Sequence, residues 1–229
     1  MSESRAVAIV LAAGAGRRVG AGIPKALLPI GGRPILSVAA AAAAASPAIS
    51  AIVVTAPPGY ESQARACLEG LDVPTTVLTG GASRQASVRA ALTALGEDVT
   101  IVAIHDAARP FAPPDLFTTV VEAVTDGVVG AIPLVPVADT VKRVLGGRVV
   151  ATVDREELGL AQTPQAFRVD ALRAAHERAE AAGLRATDDA ALLETEAEVI
   201  GVAGDPMNVK ITTMLDLARA DALMGGSGA

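Results

Sequence analysis

Short apolar runs and amphipathic stretches alternate along the first 137 residues. AVAIVLAA (6–13), AIVVTAP (51–57), TTVLTG (75–80), the start of VTIVAIHDAARP (99–110) and VVGAIPLVPV (128–137) read as strands. They are rich in β-branched residues and mostly lack polar alternation, the pattern of strands buried on both faces. Between them, PILSVAAAAAAAS (34–46), YESQARACLEGL (60–71), SRQASVRAALTAL (83–95) and PPDLFTTVVEAV (113–124) read as helices, with Pro34 tolerated in a first turn. The alternation predicts an α/β fold, a Rossmann-like, mostly parallel sheet with helices on both faces. Ligands in such sheets bind beyond the carboxyl ends of the strands. Three Gly-rich or charged loops fall there, at 12–25, 79–87 and 105–110.

The rhythm then changes. DTVKRVLGGRVVATVDREEL (139–158) alternates polar and apolar residues around Gly146-Gly147, which predicts a β-hairpin with the glycines at the turn. Its charge density suits a projecting arm, at about 138–158, that docks on a second subunit. A homodimer is therefore expected. An extended TPQAF stretch, a helix (169–182), a short helix from Asp188, a strand (197–203), the segment NVKITT and a last helix (213–224) follow. No internal repeat interrupts a single domain spanning 1–229, and only the GGSGA tail reads as disordered.

Composition narrows the function. Of 229 residues 51% are hydrophobic but only 2% aromatic, so the core must be built from Ala, Val, Leu and Ile. Such a chain offers no aromatic platform for stacked bases. A formal net charge of −6 argues against coating nucleic acid or an anionic membrane. Cys67 is the sole cysteine, which excludes an internal disulfide and fits a reducing, cytoplasmic setting. The N-terminus has no secretory pattern. Residues 34–60 are uncharged, yet Ser46-Pro47 and Pro57-Pro58 interrupt them, which suits a helix and a buried strand better than a membrane span.

The loop LAAGAGRRVGAGIPK (11–25) carries the first chemical signal. A dinucleotide fingerprint would need a third glycine at Val19 and an acidic residue after the second strand, and both are missing. A P-loop is absent because Lys25 follows Pro24. What remains is Arg17, Arg18 and Lys25 within nine residues among four glycines. Each alone reads as a solvated charge. Together, after a buried strand, they read as a site for a triphosphate. Asp106 ends an apolar strand, where a carboxylate can hold Mg²⁺ against phosphate oxygens, cap a helix or pair with Arg109. His105 reads as a local packing residue, His176 in AAHERAE as solvated, and Cys67 as inert. No Ser-His-Asp or Cys-His arrangement stands out.

LAAGAGRRVGAGIPK resembles the L-x-A-A-G-x-G-x-R-[ML]-…-P-K signature of sugar-phosphate nucleotidylyltransferases. GGASRQASV (80–88), IHDAARPF (104–111), ADTVKRV (138–144), TVDREEL (152–158), TPQAF (163–167), TDDA (187–190) and NVKIT (208–212) narrow the likeness. Over residues 6 to about 220 the chain resembles the 2-C-methyl-D-erythritol 4-phosphate cytidylyltransferases of the non-mevalonate isoprenoid pathway. The resemblance implies attack by a sugar-phosphate oxygen on the α-phosphorus of CTP, with Mg²⁺ as cofactor. It implies that Arg18, Lys25, Lys210 and Asp106 are catalytic, with Asp106 on the metal. It places Ala12, Ala13, Gly14, Gly16, Gly81, Ala82, Ser87 and Ala107 on the nucleotide. Arg109, Asp139, Thr140, Arg155, Thr163, Thr187 and Asp188 would meet the second substrate, Arg155 across the dimer. The chain departs from the family pattern in ALLP after Lys25, in Ala82, and in Met207, where an acidic residue is common and Asp205 is the nearest substitute. The rival readings are a ribitol 5-phosphate cytidylyltransferase, a dinucleotide-binding oxidoreductase and a non-catalytic binding module.

Overall fold

The computed structural model describes residues 5–14 and 22–225. The strands are β1 (Arg5–Leu11), β2 (Pro29–Ile30), β3 (Arg33–Pro34), β4 (Ile49–Ala56), β5 (Thr75–Thr79), β6 (Val99–Asp106), β7 (Gly130–Pro136), β8 (Val141–Leu145), β9 (Arg148–Val153), β10 (Gly159–Ala161), β11 (Gln165–Arg168) and β12 (Val199–Ala203). The helices are α1 (Ile35–Ala44), α2 (Glu61–Ala66), α3 (Arg84–Thr93), α4 (Pro114–Glu122), α5 (Val169–Ala181) and α6 (Met214–Gly225). Single 3₁₀ turns occupy Lys25–Leu27 and Ala190–Leu192, the latter where a short helix from Asp188 was expected.

The central sheet runs β10-β7-β11-β6-β1-β4-β5, with β12 also paired to β7. β5, β4, β1 and β6 are mutually parallel, as are β7 and β12. β11 and β10 are antiparallel to their neighbours. The expected α/β architecture is therefore present, with one reversed strand wedged into its middle. That wedge sets the site: because β11 runs backwards, its entrance lies beside the exit of β6, and Gln165 pairs with Ile104.

Alternation along β1 divides the interior. Ala6, Ala8 and Val10 face a cluster with Leu36, Ala40 and Ala43 of α1 and Phe117 and Val120 of α4. Val7 and Ile9 face the other way, with Val88 and Leu92 of α3 and Leu172 and Ala175 of α5. The alanine run that reads as featureless in sequence thus supplies the small contact face of α1. A third, smaller cluster joins Leu28, Ile30 and Ile35 to Ile211 and to Ala220 of α6. The tiny β2–β3 ladder behind it was not expected. Its turn uses Gly31 and Gly32 at φ 54° and 74°, and Gly31 N–H donates to Asp221 at 2.8 Å.

The β8–β9 hairpin forms where expected, and Gly146 and Gly147 both take positive φ, 53° and 78°, as a two-residue turn matched to strand twist requires. It forms its own two-stranded sheet. Among the described residues, no helix is long and apolar enough to cross a membrane.

Candidate active site

The parallel strands deliver three loops to one end of the sheet. Leu11 of β1 leads into Ala12–Gly14, Thr79 of β5 into Gly80–Ser83, and Asp106 ends β6. Backbone bonds tie these exits together: Ala12 N–H to Thr55 O (2.9 Å), Gly80 N–H to Ala56 O (2.7 Å) and Ala107 N–H to Leu11 O (3.1 Å). Between them lies a cleft of about 360 Å³, lined by Ala12, Ala13, Gly14, Lys25, Gly81, Ala82, Arg84, Ser87, Asp106, Ala107 and Lys210 among others. Thus the expected nucleotide residues within the described chain converge with three of the four expected catalytic ones. Gly16 and Arg18, together with Arg17, lie outside the described residues.

Glycine is needed where two walls touch. A Cβ on Gly80 would stand 2.2 Å from the Cβ of Ala13, and one on Gly81 2.5 Å from the Cβ of Ala86. Ser83 caps α3 by accepting from Ala86 N–H at 3.1 Å. Ser87 accepts from Gly81 N–H (3.1 Å) and donates to Ser83 O (3.0 Å). Its hydroxyl shapes the loop, and the positive end of α3 opens on the cleft.

Asp106 is the electrostatic centre. Lys210 Nζ donates to its Oδ2 at 2.5 Å, and Arg84 Nε lies 3.5 Å from its Oδ1. Burial pushes this carboxyl up, but Lys210 and then Arg84 more than offset it and hold it at about 2, against an ordinary 3.8. Asp106 is therefore ionised throughout the neutral range, and its ion pairs are with Lys210 and Arg84, not with Arg109 as one sequence reading allowed. Lys25 Nζ donates to Ile211 O at 2.7 Å, which joins the first loop to the segment carrying Lys210.

His105 behaves as expected for a packing residue. Its ring is buried and tilted at 56° to Phe117, with centroids 5.0 Å apart. Nε2 faces Arg109 O at 3.1 Å and so carries the proton. Nδ1 then accepts from the Thr163 hydroxyl at 3.2 Å, and that oxygen accepts from Asp106 N–H at 3.0 Å. Burial pulls the imidazole down to about 4, which keeps it neutral. The ring is a clip that fixes Thr163, Asp106 and the turn to Arg109.

The second-substrate candidates divide. Arg109 spans Asn208 O (2.8 Å) and Ala161 O (3.1 Å). Thr163 is buried in the clip just described. Asp188 accepts from Gln165 Nε2 at 2.9 Å and from Ala191 N–H at 3.1 Å, while Thr187 is exposed. Asp139 and Thr140 are exposed at the base of the hairpin. Arg155 donates to Ala138 O and lines a separate groove of about 550 Å³ with Pro136, Ala138 and Leu158. The structure does not bring Asp139, Thr140 and Arg155 to the cleft lining of their own chain.

Sequence reasoning missed several supports. Arg84 lies in the helix 83–95 and in the GGASRQASV motif but has no role in the sequence reading, yet it lines the cleft and pairs with Asp189 at 2.7 Å. His176 was expected to be solvated and is instead buried, within 3.1 Å of Asp189. The helical period around AAHERAE puts it on the same face as Leu172, and that inward face was the available signal. Gln162 and Asn208 are both buried and clasp each other, and Asn208 Nδ2 also donates to Thr163 O at 2.9 Å. This clasp holds the irregular segment carrying Lys210 against the entrance to β11. Asp205, the suggested substitute for an acid at Met207, instead caps its own turn by accepting from Met207 N–H at 2.7 Å.

No cluster of three metal-ligating side chains occurs among the described residues. A single, nearly buried, ionised carboxylate such as Asp106 suits Mg²⁺, which commonly takes one or two carboxylates and completes its shell with phosphate oxygens and water.

A glycine-walled cleft at the carboxyl ends of a mostly parallel sheet, with a helix N-terminus and flanking cations, defines a nucleotidyltransferase-type α/β enzyme. Comparison with known proteins narrows the class. The family model for 2-C-methyl-D-erythritol 4-phosphate cytidylyltransferase matches residues 6–226. The chain is 46% identical to such an enzyme from Frankia casuarinae, over 98% of this chain and 83% of that protein. It is 45% identical to one from Saccharopolyspora erythraea, over 95% and 98%. The crystal structure of the Thermus thermophilus enzyme matches with TM-score 0.78 and 36% identity, covering 96% of this chain and 98% of that one. A 4-diphosphocytidyl-2C-methyl-D-erythritol synthase from Anaerococcus prevotii matches with TM-score 0.87 and 29% identity, over 97% and 96%. The chain belongs to the 2-C-methyl-D-erythritol 4-phosphate cytidylyltransferase family.

Proposed function

We propose that the cleft carries out this family's reaction: a phosphate oxygen of 2-C-methyl-D-erythritol 4-phosphate attacks the α-phosphorus of CTP. The bond from that phosphorus to the bridging oxygen of the β-phosphate breaks, and pyrophosphate leaves. The observation that carries the reading is the joining of Lys210, Asp106 and Arg84 to the glycine rim at the N-terminus of α3. The attacking oxygen is already anionic, so this chain's residues have to position two anions and neutralise charge, and need no activated nucleophile. Ala12, Ala13, Gly14, Gly16, Gly81, Ala82, Ser87 and Ala107 surround the nucleotide, largely through backbone groups. Arg18 and Lys25 hold the triphosphate. Lys210 leaves Asp106 for the α-phosphate, where negative charge builds up as the fifth oxygen arrives. Asp106 is the residue that would hold Mg²⁺, and the ion when bound would supply further neutralisation of the triphosphate.

The acceptor is met by Arg109, Thr163, Thr187 and Asp188 from the same chain and by Asp139, Thr140 and Arg155 from a partner. Two features support the shared site. Arg155 lies in its own groove beside the hairpin. The hairpin also leaves Val144, Leu145, Val149 and Val150 at least half exposed, which a two-stranded ribbon sustains poorly in water on its own. The protein is thus read as a homodimer that takes CTP and a polyol phosphate in the cytoplasm, with neither nucleic acid nor membrane as partner.

Pyrophosphate release with CTP and Mg²⁺ tests the reading. Strong turnover with methylerythritol 4-phosphate and little with ribitol 5-phosphate is expected. The reverse preference would move the enzyme to ribitol phosphate activation. No release with either acceptor would refute the transfer reading.

A further inference from the structure

Behind the cleft, two buried polar side chains remain unused by the chemistry above. His176 on α5 and Asp189 are 1% and 0% exposed. A carboxylate can only accept, so His176 Nε2 carries the proton it gives Asp189 Oδ1 at 3.1 Å. The other oxygen of Asp189 lies 2.7 Å from Arg84 Nη1. Arg84 Nε in turn lies 3.5 Å from Asp106. A line of contacts therefore runs from inside α5 to the carboxylate at the centre of the site.

The order of burial along this line matters. A buried carboxylate is costly unless its charge is met: His176 gives Oδ1 a hydrogen bond, and Oδ2, which has no hydrogen bond among the described residues, is met by the charge of Arg84 before any ligand arrives. Arg84 is only 26% exposed, lines the cleft, and keeps Nη2 without a protein partner among the described residues. Its guanidinium is planar and forked, so fixing one edge on Asp189 fixes the direction of the others. Lys210, by contrast, is 43% exposed on a flexible stem. When a phosphate draws Lys210 away, Asp106 retains one cation whose place does not depend on the ligand.

We infer that Asp189, seated by His176, is a positioning residue that holds the Arg84 guanidinium against Asp106 so that the site keeps its charge arrangement when Lys210 engages the phosphate. The inference rests on the transfer reading above and adds a member that acts only through Arg84.

A double-mutant cycle on the full-length protein tests it, with Asp189→Asn, Arg84→Gln and the pair. Pyrophosphate release is measured at saturating CTP and methylerythritol 4-phosphate, and thermal melts follow folding. Asp189→Asn is expected to lower kcat ~10-fold alone and less than ~2-fold in the Arg84→Gln background, the non-additivity of groups acting as one unit. Arg84→Gln should cost at least as much as Asp189→Asn, since a positioning residue cannot contribute more than the group it positions. His176→Asn is the second variant, expected to lower kcat ~3-fold and again to lose its effect beside Arg84→Gln. Equal fold-losses in both backgrounds, or full activity in a folded Asp189→Asn protein, would overturn the inference. So would failure of both Asp189→Asn and His176→Asn to fold, which would make the pair a core element. A wild-type protein inactive with both acceptors would fail the transfer reading first, before any variant is compared, and take the inference with it.

Discussion

Asp106→Asn separates the charge of the site from its shape. In the folded protein the carboxyl is held at about 2, against an ordinary 3.8. At about 1.4 kcal/mol per unit, that difference corresponds to roughly 2 kcal/mol of folding stability, an upper figure because solvent reaches the Lys210 side of the pair. The folded value lies below the unfolded one. The contribution is therefore complete above pH 3.8 and is lost as pH falls through about 2. The amide removes it at every pH. Urea unfolding of wild type and Asp106→Asn at pH 6 and pH 3 reads the difference directly. The wild-type advantage should shrink by about 1 kcal/mol between the two, since at pH 3 roughly half of the linkage remains. A gap that stays constant, or that widens on acidification, would refute the argument that Lys210 and Arg84 stabilise the ionised carboxylate. Turnover at neutral pH should collapse in the same variant, so stability and activity report on one side chain by independent routes.

Gly80→Ala should cost about 1–3 kcal/mol by urea unfolding and weaken CTP binding in calorimetry, because its Cβ would strike Ala13 on the nucleotide loop. Unchanged CTP affinity would mean that loop yields freely. Arg109→Lys should destabilise by about 1–2 kcal/mol and lower turnover, since an ammonium cannot span Asn208 O and Ala161 O together. Wild-type behaviour in both assays would show the bridge to be dispensable. Arg155→Ala should raise KM for the polyol phosphate while sparing CTP, and mixing it with Lys25→Ala should restore activity through dimers having one intact site. No recovery in dimers shown to be mixed would place Arg155 in its own chain's site.

Most of the fold was legible along the chain because its signals are local. Continuous β-branched runs mark strands that must be buried on both faces. Gly146-Gly147 marks a turn that needs positive φ twice. The cleft was legible for the same reason, since the loops after β1, β5 and β6 must meet once those strands are parallel. What sequence alone could not supply depends on pairing between distant segments. β11 reverses direction and brings Thr163 to the end of β6, 57 residues away in sequence. Asn208 Nδ2 donates to Gln162 Oε1, and Gln162 Nε2 to Asn208 O, 46 residues apart, only because β10, β11 and the loop after β12 converge. His176 passes for a surface residue in a charged helix until α5 lies against α3 and Asp189. Local preference decided the elements and their order. Which polar groups would be buried, and so had to find partners, was decided only when the sheet closed.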